Sequence, residues 1–115
     1  MSKSFKDITK HVSSDMAKLN KNVPEVTKAF SQLGASATAD GVLDKKTKEL
    51  IALAIAVSTR CDACIGFHSK ALVQLGATEQ EVAETLGVCV YMGGGPSMMY
   101  AAEATAAFNE FSKES

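Results

Sequence analysis

The sequence predicts an all-α protein, a single compact domain of about six helices. Apolar residues recur at three- and four-residue spacing along most of the chain, and helix-start and helix-stop residues bracket those stretches. No segment convincingly alternates apolar and polar residues as a half-buried strand would. A length of 115 residues suits one domain with one core.

Phe5, Ile8, Val12 and Leu19 share a face at helical spacing, which predicts a first amphipathic helix ending at Asn20 to Asn22. Pro24 suits a first helical turn, and Val26, Phe30 and Leu33 repeat the pattern, so a second helix should run to a stop at Gly34. The stretch 34–41, GASATADG, is small, polar and bounded by glycine, and reads as a loop. Asp44 is placed to cap a third helix through KKTKELIALAIAVSTR. Its second half is apolar all round and should lie centrally in the fold or in an oligomer. A fourth helix begins near Cys61 and stops at Gly76, a residue type that closes helices in the left-handed conformation. Thr78 and Glu81 have capping-box spacing ahead of EQEVAETLGVCVYM, a fifth helix that Gly93, Gly94 and Gly95 break. Pro96 then opens a sixth helix, SMMYAAEATAAFNEF.

Nearly half of the residues are apolar, and the formal net charge is −1 with Lys and Arg scattered along the chain. That distribution offers no footprint for a nucleic acid backbone or an anionic membrane. The N-terminal stretch MSKSFKDITKHVSSDM lacks the apolar run of a secretory signal, and the apolar run 50–57 is too short to cross a bilayer. A cytoplasmic protein is expected. Three cysteines in such a chain do not form a disulfide framework, so the close pair Cys61 and Cys64 points to redox chemistry or metal binding.

In RCDACIGFHSKAL, Cys61, Cys64 and His68 follow at offsets of three and four and fall on one helical stripe. A helix start supplies unpaired amides and a positive dipole end, both of which stabilise a thiolate. Two sulfurs at this separation can convert a sulfenic acid into a recyclable disulfide, and His68 can carry the proton. The same trio offers only three zinc ligands, leaving Cys89, His11 or a neighbouring subunit to supply a fourth. Covalent haem is disfavoured because Ile65, not histidine, follows the second cysteine. Glu49 has two readings: facing inward, burial would raise its pKa and make it a proton carrier, whereas facing outward it would pair with Lys45.

Glu49, twelve residues ahead of Cys61-Asp62-Ala63-Cys64-Ile65-Gly66-Phe67-His68, and the later YMGGGPSMMYAAEA together closely resemble the AhpD-like branch of the carboxymuconolactone decarboxylase family. The match runs from about Asp44 to Ala107. The resemblance implies an AhpD-like all-helical fold, homotrimeric or homohexameric assembly, and thiol-dependent peroxidase or disulfide-reductase activity. It also implies that Cys64 attacks the peroxide, Cys61 resolves the sulfenic acid, and His68 with Glu49 relays protons. The substrate would be a hydroperoxide or a disulfide, and electrons would come from another thiol. One feature departs from the alkylhydroperoxidase pattern: Ala63 stands where that enzyme has a histidine, which leaves room for a different oxidant. A cysteine-independent lactone decarboxylase is the alternative within the family, and a zinc-stabilised oligomeric module is the alternative outside it.

Cys89, within an apolar helix, is expected to be a buried structural thiol, and His11 faces no obvious partner. Met92, Met98 and Met99 are expected to serve packing or subunit contact. No glycine-rich strand-to-helix turn of the dinucleotide type is present, so no cofactor is expected.

Overall fold

The computed structural model describes residues 3–113, in five helices and no strand among them. Helix α1 spans Phe5–Asn22, α2 Pro24–Thr38, α3 Lys45–Ser58, α4 Asp62–Gln74 and α5 Glu79–Ser112. Each start carries a local reason. Ser4 caps α1 by accepting the Asp7 N–H at 3.3 Å, Asp44 caps α3 by accepting the Thr47 N–H at 2.8 Å, and Pro24 occupies the first turn of α2. Thr78 and Glu81 form the expected capping box at the start of α5.

One boundary differs from the sequence reading. Helix α2 does not stop at Gly34 but runs on to Thr38, whose hydroxyl donates to the Gly34 carbonyl at 2.9 Å. Gly34 is followed by Ala35 and Ala37, and glycine inside a helix costs only about 1 kcal/mol against alanine, too little to end it here. The anticipated fifth and sixth helices follow one another directly within α5, and the helical backbone is broken between them at Gly94, as expected, where φ is 72° and ψ is −150°. Gly94 thus interrupts the helix within the glycine run, and Pro96 lies in the first turn beyond the interruption.

The core lies among α3, α4 and α5. Leu53, Ala56 and Val57 meet Ile65 and Leu72 of α4 and Val82, Leu86, Ala104, Ala107 and Phe108 of α5, with Phe5 of α1 sealing one end. Gly66 permits this seal, since a Cβ there would lie 2.6 Å from Thr9 Cγ2. Helix α2 buries nothing, and Val26 and Phe30 are 66% and 75% exposed. The hairpin of α1 and α2 thus extends from the core, and the radius of gyration, 14.4 Å, exceeds the about 13 Å of a compact chain this long. Leu19, expected on the buried face of α1, is exposed because only the first half of that helix reaches the core. Ile51 and Ile55 leave one face of α3 open, so this helix is not enclosed on every side within one chain. Met92, Met98 and Met99 are exposed as well.

Candidate functional site

The turn between α3 and α4 delivers the cysteines. At the end of α3 the Cys61 N–H donates to Ala56 O at 3.0 Å and the Arg60 N–H to Val57 O at 3.2 Å, the paired bonds of a Schellman ending. Arg60 holds the left-handed position with φ of 58°, a place usually given to glycine. The chain then turns directly into α4, so that Cys61 closes one helix and caps the next. The Cys64 N–H donates to Cys61 Sγ at 3.2 Å. Cys61 and Cys64 are joined by a disulfide, with Cα atoms 5.2 Å apart. That spacing lies inside the ordinary range for a cross-link.

His68 follows Cys64 by one turn of α4, and Glu49 comes from α3 to meet it. His68 Nδ1 and Glu49 Oε1 are hydrogen-bonded at 2.6 Å. Glu49 is 6% exposed, so its inward orientation holds, and its partner is His68 rather than Lys45. A carboxylate on Nδ1 fixes the ring's orientation and leaves Nε2 as the nitrogen able to take a proton. All four residues singled out in the sequence, Glu49, Cys61, Cys64 and His68, thus fall into two bonded pairs, Cys61–Cys64 and Glu49–His68, with one turn of α4 between them.

Sequence reasoning missed two contributors. Asp62 lies between the cysteines in the first turn of α4, and Lys3 reaches it across 59 positions of sequence: Lys3 Nζ donates to Asp62 Oδ2 at 2.9 Å. Lys3 also meets Glu103 Oε1 of α5 at 2.8 Å and stands 5.8 Å from the centre of the Tyr100 ring. Hydrogen bonds to Glu103 and Asp62 hold the Lys3 ammonium well above its ordinary pKa. Asp62 Oδ1 is buried and has no hydrogen-bond partner among the described residues. No periodicity signals such a contact, because Lys3 precedes the first helix.

Cys89 is a buried thiol, as expected, with Sγ 3.7 Å from Ala54 O and 3.5 Å from Thr85 O, and burial pushes its pKa up. His11 is exposed on α1. Among the described residues no three His, Cys, Asp or Glu side chains converge as a metal donor set, so neither Cys89 nor His11 completes a zinc site with the trio. No helix among them is long and apolar enough to cross a membrane.

Comparison with known proteins identifies the fold and the family. The fold superposes on the apo form of a carboxymuconolactone decarboxylase family protein of Legionella pneumophila with a TM-score of 0.92 and 60% identity, covering 94% of this chain and 96% of that one. A second solved structure, a family protein of Thermotoga maritima described as a candidate participant in an antioxidative response, gives a TM-score of 0.71 at 34% identity, covering 76% and 91%. An uncharacterized protein of Cupriavidus necator is 43% identical over 86 residues, 75% of this chain and 76% of its own length. The family profile itself matches residues 24–107, most of the chain. The chain belongs to the carboxymuconolactone decarboxylase family.

Proposed function

We propose that this protein is a cytoplasmic thiol-dependent peroxidase or disulfide oxidoreductase of the AhpD-like branch. The observation that carries the reading is a disulfide-linked Cys61–Cys64 pair at a helix start, one turn from the bonded His68–Glu49 pair. The antioxidative description of the Thermotoga relative supports the same direction.

In the proposed cycle the Cys64 thiolate attacks the outer peroxide oxygen. An S–O bond forms, the O–O bond breaks, and the alcohol leaves with a proton passed on by His68 while Glu49 steadies the imidazolium. The Cys61 sulfur then attacks the Cys64 sulfenic sulfur; the S–S bond forms, the S–O bond breaks, and the hydroxide leaves as water with the proton given up by the Cys61 thiol. Two electrons and two protons from an external dithiol restore both thiols. The Cys64 N–H donates to Cys61 Sγ, which stabilises charge on Cys61 and makes it the better leaving sulfur when the external thiol attacks Cys64 during reduction.

A homotrimer or homohexamer fits the apolar surface left open on one chain, including Val26, Phe30, Ile55 and Tyr91. Light scattering of the purified protein reads that assembly directly.

The deciding experiment for the activity is intact-protein mass spectrometry after graded peroxide treatment of the reduced protein, with peptide mapping. Loss of two hydrogens located to Cys61 and Cys64 at stoichiometric peroxide, reversed by dithiol, is the expected result. Persistence of both free thiols overturns the reading. Activity on a lactone that survives replacement of both cysteines by serine would move the protein to the decarboxylase side of its family.

A further inference from the structure

Residue 3 sits outside every helix, yet its ammonium is the hub of a cluster at the start of α4. It lies 2.9 Å from Asp62 Oδ2 and 2.8 Å from Glu103 Oε1, and faces the Tyr100 ring. Asp62 immediately follows Cys61 and precedes Cys64 by two positions, so its carboxylate occupies the same helix end that would stabilise a cysteine thiolate. An uncompensated carboxylate there opposes ionisation of either thiol. One Asp62 oxygen is buried and unpartnered among the described residues, and the other accepts the Lys3 hydrogen bond.

We infer that Lys3 is a positioning residue for the dithiol: by neutralising Asp62 it keeps the helix end available to the reactive thiolate, so that docking of the N-terminal segment sets the acidity of Cys61 and Cys64. The inference rests on the dithiol reading above and adds a control element to it. The ionisable groups of this region are Glu49 of α3, Arg60 in the preceding turn, Asp62 and His68 of α4, Glu103 of α5, and Lys3 itself. Glu49 and His68 satisfy each other, and Glu103 shares Lys3 with Asp62. Arg60 and Asp62 flank Cys61 on either side, and of the two only Asp62 lies within α4 and carries an ion pair to the N-terminal segment. Both partners of that pair are partly exposed, at 42% and 34% of their side chains, so it can open without unfolding the core.

The test is the pH dependence of iodoacetamide alkylation of the reduced full-length protein, with Cys61 and Cys64 followed separately by peptide mapping. In Lys3→Gln the apparent pKa of the more acidic thiol is expected to rise by about half a unit to one unit, slowing alkylation at neutral pH about three- to tenfold. Lys3→Arg should titrate as the parent does. Asp62→Asn should lower the pKa, and Lys3→Gln/Asp62→Asn should return it close to the parent value. An unchanged pKa in Lys3→Gln, or a double variant as slow as Lys3→Gln alone, overturns the inference and reduces Lys3 to a tether. Because alkylation needs no peroxide, the answer stands apart from whether the protein turns peroxide over.

Discussion

His68 Nδ1 and Glu49 Oε1 lie 2.6 Å apart across two helices, with the carboxylate side chain 8% exposed and the imidazole 31% exposed. In the proposed cycle the buried partner would orient and the more accessible one would exchange protons, a division that suits general acid–base catalysis. Glu49→Gln keeps a similar shape but loses the charge that steadies imidazolium. Peroxide-driven closure of the disulfide is expected to slow about ten- to hundredfold, as is typical when an orienting carboxylate is removed. His68→Asn should slow it at least as much, and the double variant little further, because the two act as a unit. Stopped-flow oxidation at fixed peroxide reads all three, and a Glu49→Gln protein oxidised at the parent rate excludes the relay.

Packing of α1 onto α4 makes a second prediction. A methyl group at position 66 would sit 2.6 Å from Thr9 Cγ2, and Thr9 cannot swing away freely because its hydroxyl donates to Phe5 O at 3.0 Å. Gly66→Ala gains up to about 1 kcal/mol in helix propensity but overpacks a buried contact at a cost of about 1–3 kcal/mol. A net loss of about 1–2 kcal/mol in urea unfolding is expected. Thr9→Ser removes the offending methyl while keeping the hydroxyl, so Gly66→Ala should become neutral or stabilising in that background. An equal cost in both backgrounds would locate the strain elsewhere.

The same chemistry explains what was legible in the sequence. Caps, the cysteine spacing and the helical offset to His68 are local, and Asp44, Thr78 and Glu81 did what their residue types dictate. Glu49 has two readings, a surface pair with Lys45 and an inward role, because it stands where the lysine-rich first turn of α3 gives way to a run apolar on every side, and neither decides its face. Its partner became visible only when α3 crossed α4. Gly34 misled because glycine permits a helix end without requiring one, and the following alanines carried the helix on. Arg60 and Lys3 were invisible for opposite reasons: one adopts a conformation that its residue type disfavours, and the other acts over 59 positions.

The kink in α5 gives a prediction free of packing effects. Gly94 has φ of 72° and ψ of −150°, a combination essentially restricted to glycine, yet a Cβ there would meet nothing within 4 Å. Gly94→Ala should therefore lose about 1–3 kcal/mol from backbone strain alone. Gly95 is equally open but lies at negative φ, so Gly95→Ala should be neutral or gain up to about 1 kcal/mol. Thermal unfolding of the two variants side by side separates the cases, and equal melting temperatures would mean that the glycine-specific backbone at position 94 is dispensable.

Glu110 closes the N-terminus of α1 from the far end of α5. Its Oε1 accepts the Phe5 N–H at 2.8 Å, and its Oε2 accepts the Lys6 N–H at 3.2 Å and the Ser4 hydroxyl at 3.0 Å. Partial burial alone would push this carboxyl up, but those donors and the Lys6 charge outweigh it and hold the pKa below the ordinary value of 4.5. A depressed folded-state pKa means that the contribution is fully present above the unfolded value and is lost as pH falls through the folded one. Glu110→Gln keeps one acceptor but sets an amide donor against the remaining N–H, so a loss of about 1–2 kcal/mol is expected at pH 7. The gap between parent and variant should narrow steadily once the pH drops below about 4.5, approaching zero under the folded pKa. Urea unfolding of both proteins from pH 7 down to pH 3 measures it, and a gap that stays constant over that range would show that the carboxylate charge has no part in anchoring α1.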